Sequence, residues 1–418
     1  MTTKFENAII IKDFDSDVIF GDIIVCDDKI VYVGEHTDQT ADKIIDARQN
    51  VIMPGFVNAN ANSFLSIFGK LIGGKKSQDF WAEVSKAQKK LSANDVYTAN
   101  LYSAMQYAKS GITTVCENGI LPQQIAKAYT ELGLRLCVAT KQKSDTKKFL
   151  SFEEMDKTYQ QLSNISPLVT AHFACENVIT DLEENFDIAQ KLASKYNTFI
   201  STNVSETLEE VGKCANQNDD MSPVSLLQDY GFFDRKTLIN YATNVDSKDI
   251  RIIKQSGSNV CVLPVSDSKL SNGIAPIYQM LQYGINVCFG TGIGASFGSF
   301  DMFSQTRQAV ANQNTLLSYA DSISSRELLK MATTNGASAL RLTNVGTLSV
   351  DSKADLILID ISNMIVHNIF DCIVYSCSKQ NVLLTMINGK IVWDGKKINF
   401  KQTEKSILQK AKQISKKI

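Results

Sequence analysis

VIMPGFVNANANSFLSIFG, residues 51–69, is the stretch on which the reading of the fold turns. Val51, Ile52 and Met53 form an apolar run, Pro54-Gly55 bends the chain, and Phe56-Val57 resume an extended segment. Polar Asn58, Asn60 and Asn62 then stand at every second position. In a strand, that period of two places Asn60 and Asn62 on one face.

Around this stretch the bulk composition is that of an ordinary soluble chain. The 418 residues are 44% hydrophobic and 21% charged, enough for one large barrel with an accessory domain. A net charge of −1 gives no reason to expect nucleic acid or an anionic membrane as partner. Nine cysteines are scattered without CxxC pairs or a secretory leader, which reads as reduced thiols in a cytoplasmic protein. No apolar run approaches the roughly 20 residues of a membrane span. There are only three histidines, His36, His172 and His367.

Upstream, Ala8-Ile11, Val18-Phe20, Ile23-Cys26 and Ile30-Val33 are short β-rich runs separated by Asp/Gly turns, read as a small antiparallel sheet. A similar signature returns at 355–359 and 382–392. Two separate small β modules are the less favoured arrangement, because neither half is large enough to bury a core alone. Between them, apolar runs alternate with helical patterns, as an α/β barrel requires. The runs are Val51-Val57, Ile112-Cys116, Arg135-Ala139, Leu168-Ala171, Phe199-Thr202, Thr237-Asn240, Val260-Leu263 and Asn286-Phe289, their count of eight being what the resemblance given below implies. Helices are expected over Ser92-Lys109, Pro122-Leu132, Glu184-Lys195 and Ser324-Asn335. In Glu404-Ile418, residues Ile407, Ala411, Ile414 and Ile418 share one helical face amid lysines, the pattern of a solvated amphipathic cap.

The frame Pro54-Gly55-Phe56-Val57-Asn58-Ala59 resembles the opening of the amidohydrolase superfamily, within it the adenosine/methylthioadenosine deaminase and triazine chlorohydrolase branch. Ala354-Asp355-Leu356, Ile387-Asn388-Gly389-Lys390, the phrase 264–276 and Ser299-Phe300-Asp301-Met302-Phe303 also resemble it, so the likeness spans nearly the whole chain. It implies a (β/α)8 TIM barrel over 54–342, a discontinuous β domain (a small β-sandwich) from 1–53 plus 343–400, and a C-terminal helix over 401–418. Active sites of such barrels lie at the C-terminal ends of the strands. There the family's first two metal histidines correspond to Asn60 and Asn62. Ala171-His172-Phe173-Ala174 is similar to a substrate-contacting motif with its histidine kept. Thr202-Asn203-Val204-Ser205-Glu206-Thr207 resembles the motif whose metal histidine is here Asn203 and whose proton-shuttling glutamate is Glu206. Tyr241 stands at the histidine expected to hold the attacking water, and Gly292 at the last metal ligand, an aspartate. Phe80-Trp81 and Thr140-Lys141 replace an acidic residue before tryptophan and an arginine that would contact substrate.

A catalytic divalent ion needs imidazole and carboxylate ligands with one position open for water. Amides are poor zinc ligands, and glycine has no side chain to offer. No acidic residue is read at a strand end beside the replaced positions. The expectation is a metal-free, catalytically degenerate homologue without cofactor. It would be a homodimer binding a small polar molecule or a protein partner, with His172, Trp81, Tyr241, Asn60, Asn62 and Asn203 lining the mouth. The alternative is a metal-independent hydrolase of C–N bonds using His172 and Glu206 as acid and base, with Cys175 as a candidate nucleophile. Each residue also has a bland role. His172 suits a strand end, Glu206 the first turn of a helix, Cys175 a small buried apolar position, and the amides with Tyr241 a hydrogen-bonded filling.

Overall fold

In a computed structural model of the chain, the structure describes residues 1–141, 151–181, 183–234 and 236–418, the side chain of Lys141 excepted. These residues form two eight-stranded sheets. The strands, in chain order, are β1 Thr2–Ile10, β2 Ile19–Cys26, β3 Lys29–Gly34, β4 Lys43–Asp46, β5 Val51–Pro54, β6 Phe56–Ala61, β7 Ile112–Glu117, β8 Arg135–Lys141, β9 Val169–Ala174, β10 Ile200–Val204, β11 Thr237–Tyr241, β12 Asn259–Val262, β13 Val287–Phe289, β14 Leu356–Ile359, β15 Val382–Ile387 and β16 Lys390–Trp393.

Strands β6 to β13 pair in parallel with their chain neighbours. Their interior is filled by Val57, Ala59, Cys116, Cys137, Phe199, Leu238, Cys261, Leu263 and Cys288. A larger apolar layer separates the strands from surrounding helices. The barrel closes just beyond β13, where the amides of Thr291 and Gly292 each donate to Asn60 O at 2.9 Å and Asn62 N donates to Gly292 O at 3.1 Å. The Asn58 side chain reinforces this seam, donating to Thr291 Oγ1 at 2.8 Å and accepting from Thr291 N at 2.9 Å.

The other sheet joins the two ends of the chain in the order β16-β15-β14-β5-β1-β2-β3, with β4 also on β1. The N-terminal segment is not wholly antiparallel as read from sequence. β1 pairs antiparallel with β2 but parallel with both β4 and β5. A bulge at Asn7, whose φ is 57°, divides the β1 edge between those two partners. The run Val51-Val57 is likewise two strands. β5 belongs to the terminal sheet and β6 to the barrel, and the break falls at Gly55, where a Cβ would lie 2.1 Å from Thr113 Cγ2.

The helix expected over Ser324-Asn335 divides into Ser325–Met331 and Thr334–Ala339. The division lets the Asn335 side chain donate to Val287 O at 2.9 Å. It also brings Gly336 so close to Val57 that a Cβ would stand 2.9 Å from its Cγ1. Pro122–Leu132 forms as read, and Ala93–Lys109 starts from a Ser92 and Asp95 capping box.

Sheet and barrel are fastened by a buried ion pair. Arg135 at the start of β8 donates through Nε to Asp355 Oδ2 at 2.7 Å and through Nη2 to Oδ1 at 3.1 Å, while Asn388 N donates to the same carboxylate at 2.7 Å. The C-terminal helix Glu404–Ser415 buries Ile407, Ala411 and Ile414. Its neighbour is the Ala93–Lys109 helix, reached by ion pairs Lys109–Glu404 at 3.0 Å and Lys417–Asp95 at 3.3 Å. No helix among the described residues is long and apolar enough to cross a membrane.

Candidate functional site

The strand ends β6 to β13 open toward a covering segment. Two short 3-10 turns, Ser63–Ile67 and Gly69–Leu71, lead to the helix Ser77–Ala87. Their Phe64, Leu65, Ile67, Phe68, Phe80 and Val84 pack with Leu270, Ile293, Ala411 and Ile414 into one apolar cluster. Beneath this cover lies a polar network with little access to water.

Glu206, just after β10, is 9% exposed. Its Oε1 accepts from Ser77 Oγ at 2.5 Å and from Asn272 Nδ2 at 3.3 Å. Ser77 begins the covering helix, so this bond ties cover to barrel. Asn272 Nδ2 also donates to Asp267 Oδ1 at 3.0 Å, bridging two buried carboxyls. Burial, with the nearby Glu176 charge, pushes Glu206 up to about 7, and burial together with Glu206 pushes Asp267 well above the usual carboxylate range. Glu210 is pushed up to about 7 by burial and by Glu206, although it accepts from the amides of Ser205 at 3.0 Å and Glu206 at 2.7 Å.

Tyr241 is buried at the end of β11 with φ of 76°, followed by Ala242 at 49°. Two consecutive non-glycine residues in the left-handed region cost about 1–2 kcal/mol each. Bonds from Ala242 N to Val204 O and from Asn244 N to Ser205 O, both 3.0 Å, hold the distortion in place. Burial and nearby acidic groups push the phenol well above its usual range. Asn203 donates through Nδ2 to Glu176 Oε1 at 3.3 Å and accepts from Asn240 Nδ2 at 3.2 Å. Asn60 and Asn62 are both buried, and their backbones form the closing seam. Gly292 has φ of 53°, and a Cβ there would stand 2.9 Å from Ser266 Oγ.

His172 is fully buried in the barrel, stacked on Phe199 with ring centroids 4.2 Å apart. Its Nε2 lies 3.3 Å from Ser201 Oγ and 3.9 Å from Cys116 Sγ, and its Nδ1 has no hydrogen-bond partner. Desolvation pulls its pKa down to about 3, so the ring is neutral. His172 and Glu206 share no hydrogen-bond partner in the structure. Cys175 packs in the outer apolar layer, its Sγ 4.0 Å from Asn185 O. Trp81 is half-buried in the cover, edge-on to Phe80 at 5.4 Å. Thr140 is buried and donates to His172 O at 2.9 Å. The Lys141 side chain lies outside the described residues.

One expectation is overturned. An acidic residue does stand at a strand end beside the replaced positions, for Glu117 closes β7 in register with Ala61. It is fully buried and accepts from Ser63 N at 3.1 Å, from Ser63 Oγ, and from Tyr129 OH at 2.6 Å. Desolvation raises its pKa despite these donors. The sequence signal was present, since Glu117 directly follows the apolar run ending at Cys116. Asp267 and Asn272 were likewise within a quoted phrase, but nothing local revealed that they would meet Glu206. Among the described residues, no three His, Cys, Asp or Glu side chains converge as a metal-binding group.

This mouth, cover and accessory sheet place the chain in a class of proteins. Residues 51–392 match the model of the amidohydrolase family. The chain is 32% identical over 395 residues to a 5-methylthioadenosine/S-adenosylhomocysteine deaminase of Thermoanaerobacter pseudethanolicus, covering 90% of each chain. It is 28% identical to the enzyme of that name from Caldicellulosiruptor saccharolyticus, over 98% of this chain and 96% of the other. A zinc-bound adenosine deaminase from Xanthomonas campestris superposes with a TM-score of 0.93 at 21% identity, covering 99% of this chain and 98% of that one. The chain belongs to the amidohydrolase family.

Proposed function

We propose that this amidohydrolase-family chain is a metal-free homologue that no longer hydrolyses, and that its covered mouth serves to hold a small polar ligand or a partner. The observation that carries the reading is the donor set at the five positions assigned to metal and attacking water. They hold three neutral amides, a phenol kept protonated by burial, and a glycine whose Cβ space is filled by Ser266. A zinc ion seeks imidazole nitrogen, thiolate or carboxylate, and none of these residues supplies one. The residues therefore do not fit the ion, and no reaction step is routed through it. Glu206, bonded to Ser77 and Asn272, serves this reading as a latch for the cover.

The relatives' names supply the compounds to try. After incubation with zinc and gel filtration, the protein should retain well under one equivalent by elemental analysis. It should release no ammonia from 5'-methylthioadenosine, S-adenosylhomocysteine or 5'-deoxyadenosine. Calorimetric titration with the same compounds then asks whether the mouth still binds them. One tightly held zinc per chain together with ammonia release would overturn the proposal.

A further inference from the structure

Far along the chain from the residues of the mouth, three sulfur atoms meet. Cys372 Sγ is 3.4 Å and Cys377 Sγ 3.8 Å from Met364 Sδ. The two thiols lie close enough that each alters the other's ionisation. What brings them together is a local widening of the helix. Cys377 N donates to Cys372 O at 3.0 Å, an i to i+5 bond that brings residues five apart onto one side of a wide turn. Such turns cost helical regularity and are frequent at functional sites.

We propose that Met364, Cys372 and Cys377 form a binding site for a soft monovalent cation, Cu(I) in particular. Thiolate and thioether sulfur select this ion over hard divalent metals. The geometry agrees, because three sulfurs around one ion at a bond length of about 2.3 Å, as in metal–thiolate bonds, stand about 4.0 Å apart. The observed 3.4 and 3.8 Å from Met364 Sδ require only a slight lengthening of these two sides. The cluster is shallow. Cys372 is 6% exposed and Met364 half-buried, and the next residue, Ile365, is 88% exposed. An ion can thus enter from the Met364 side.

Charge is also provided for. Loading would release both thiol protons to solvent, and two thiolates with one Cu(I) carry a net charge of −1. The Arg307 guanidinium donates to Val374 O at 3.0 Å and Cys377 O at 2.7 Å, which places a permanent positive charge beside the site. Burial pushes Cys377 up to about 12, with Arg307 acting in the opposite direction. Affinity should therefore rise steeply with pH.

The test is an anaerobic titration of the reduced full chain with Cu(I) buffered by bathocuproine disulfonate, whose copper complex is coloured. The expected result is transfer of one equivalent, with a sulfur-only shell by X-ray absorption. Transfer should be lost in the Cys372→Ser/Cys377→Ser variant and weakened at least ten-fold in Met364→Leu. The last exchange keeps side-chain volume and so leaves the fold intact even if the double variant does not fold. No transfer from the chelator, or transfer undiminished in both variants, would refute the site.

Discussion

Glu206→Gln isolates the latch between cover and barrel. The unfolded carboxyl ionises near 4.5 and the folded one near about 7. Between these values the folded state binds more protons, so stability falls as pH rises from about 4.5, and the loss is complete above about 7. At 1.36 kcal/mol per unit, the penalty amounts to about 1 kcal/mol at pH 5 and about 3 kcal/mol at pH 8. Glutamine keeps an Oε1 to accept from Ser77 and Asn272 but cannot ionise. For a chain of 418 residues, an unfolding entropy of about 0.9 kcal/mol/K converts these penalties to a Tm gain of about 1 °C at pH 5 and about 3 °C at pH 8. Glu210 and Asp267 titrate upward partly because of Glu206, so removing its charge helps them in the same direction. Differential scanning fluorimetry of wild type and variant across this range measures the difference directly. An equal Tm difference at both pH values would refute the assignment of a buried, proton-holding carboxyl at this position.

Two further outcomes follow from the geometry. Gly292→Asp places a Cβ 2.9 Å from Ser266 Oγ at a φ of 53°. It should cost about 1–3 kcal/mol, partly recovered by Ser266→Gly in a double-mutant cycle, and a neutral single variant would show that the backbone there relaxes freely. Arg135→Ala leaves Asp355 buried without its partner. It should cost about 3–5 kcal/mol and loosen the contact between sheet and barrel, read as faster amide exchange in β14 and β15, while unchanged exchange there would count against the pair as the fastener.

Much of the barrel was legible because parallel strands covered on both faces become near-continuous apolar runs. Ile112-Cys116 and Thr237-Asn240 each fall one residue short of the observed strands. The shortfall mattered at β7, since the omitted residue is Glu117. Partition at Gly55 was hidden because the residues on both sides are apolar, and only the approach of Thr113 demands a glycine. The latch was invisible for a different reason. Ser77 and Glu206 are 129 positions apart, and a serine opening a helix carries no mark of a distant carboxyl. Cys175 shows the converse. Its nearness to His172 in sequence suggested a pair, yet it belongs to the outer layer packed against the helix Glu183–Tyr196.

The barrel seam is made largely by backbone groups. Asn60, Asn62 and Gly292 join the first strand to the end of the eighth through their backbone amides and carbonyls. Backbone bonds of this kind are indifferent to the side chain attached, provided the local conformation is kept. The side-chain share of the closure comes from Asn58 and Thr291, with Tyr107 OH 3.2 Å from Thr291 Oγ1. Closure of this barrel thus asks little of the side chains at positions 60, 62 and 292. On the proposed reading, exchange of ligands at positions 60, 62 and 292 would remove donors for an ion while leaving every seam bond in place. The apolar cover can then rest on a mouth in which burial raises the pKa of Glu206 and of Asp267.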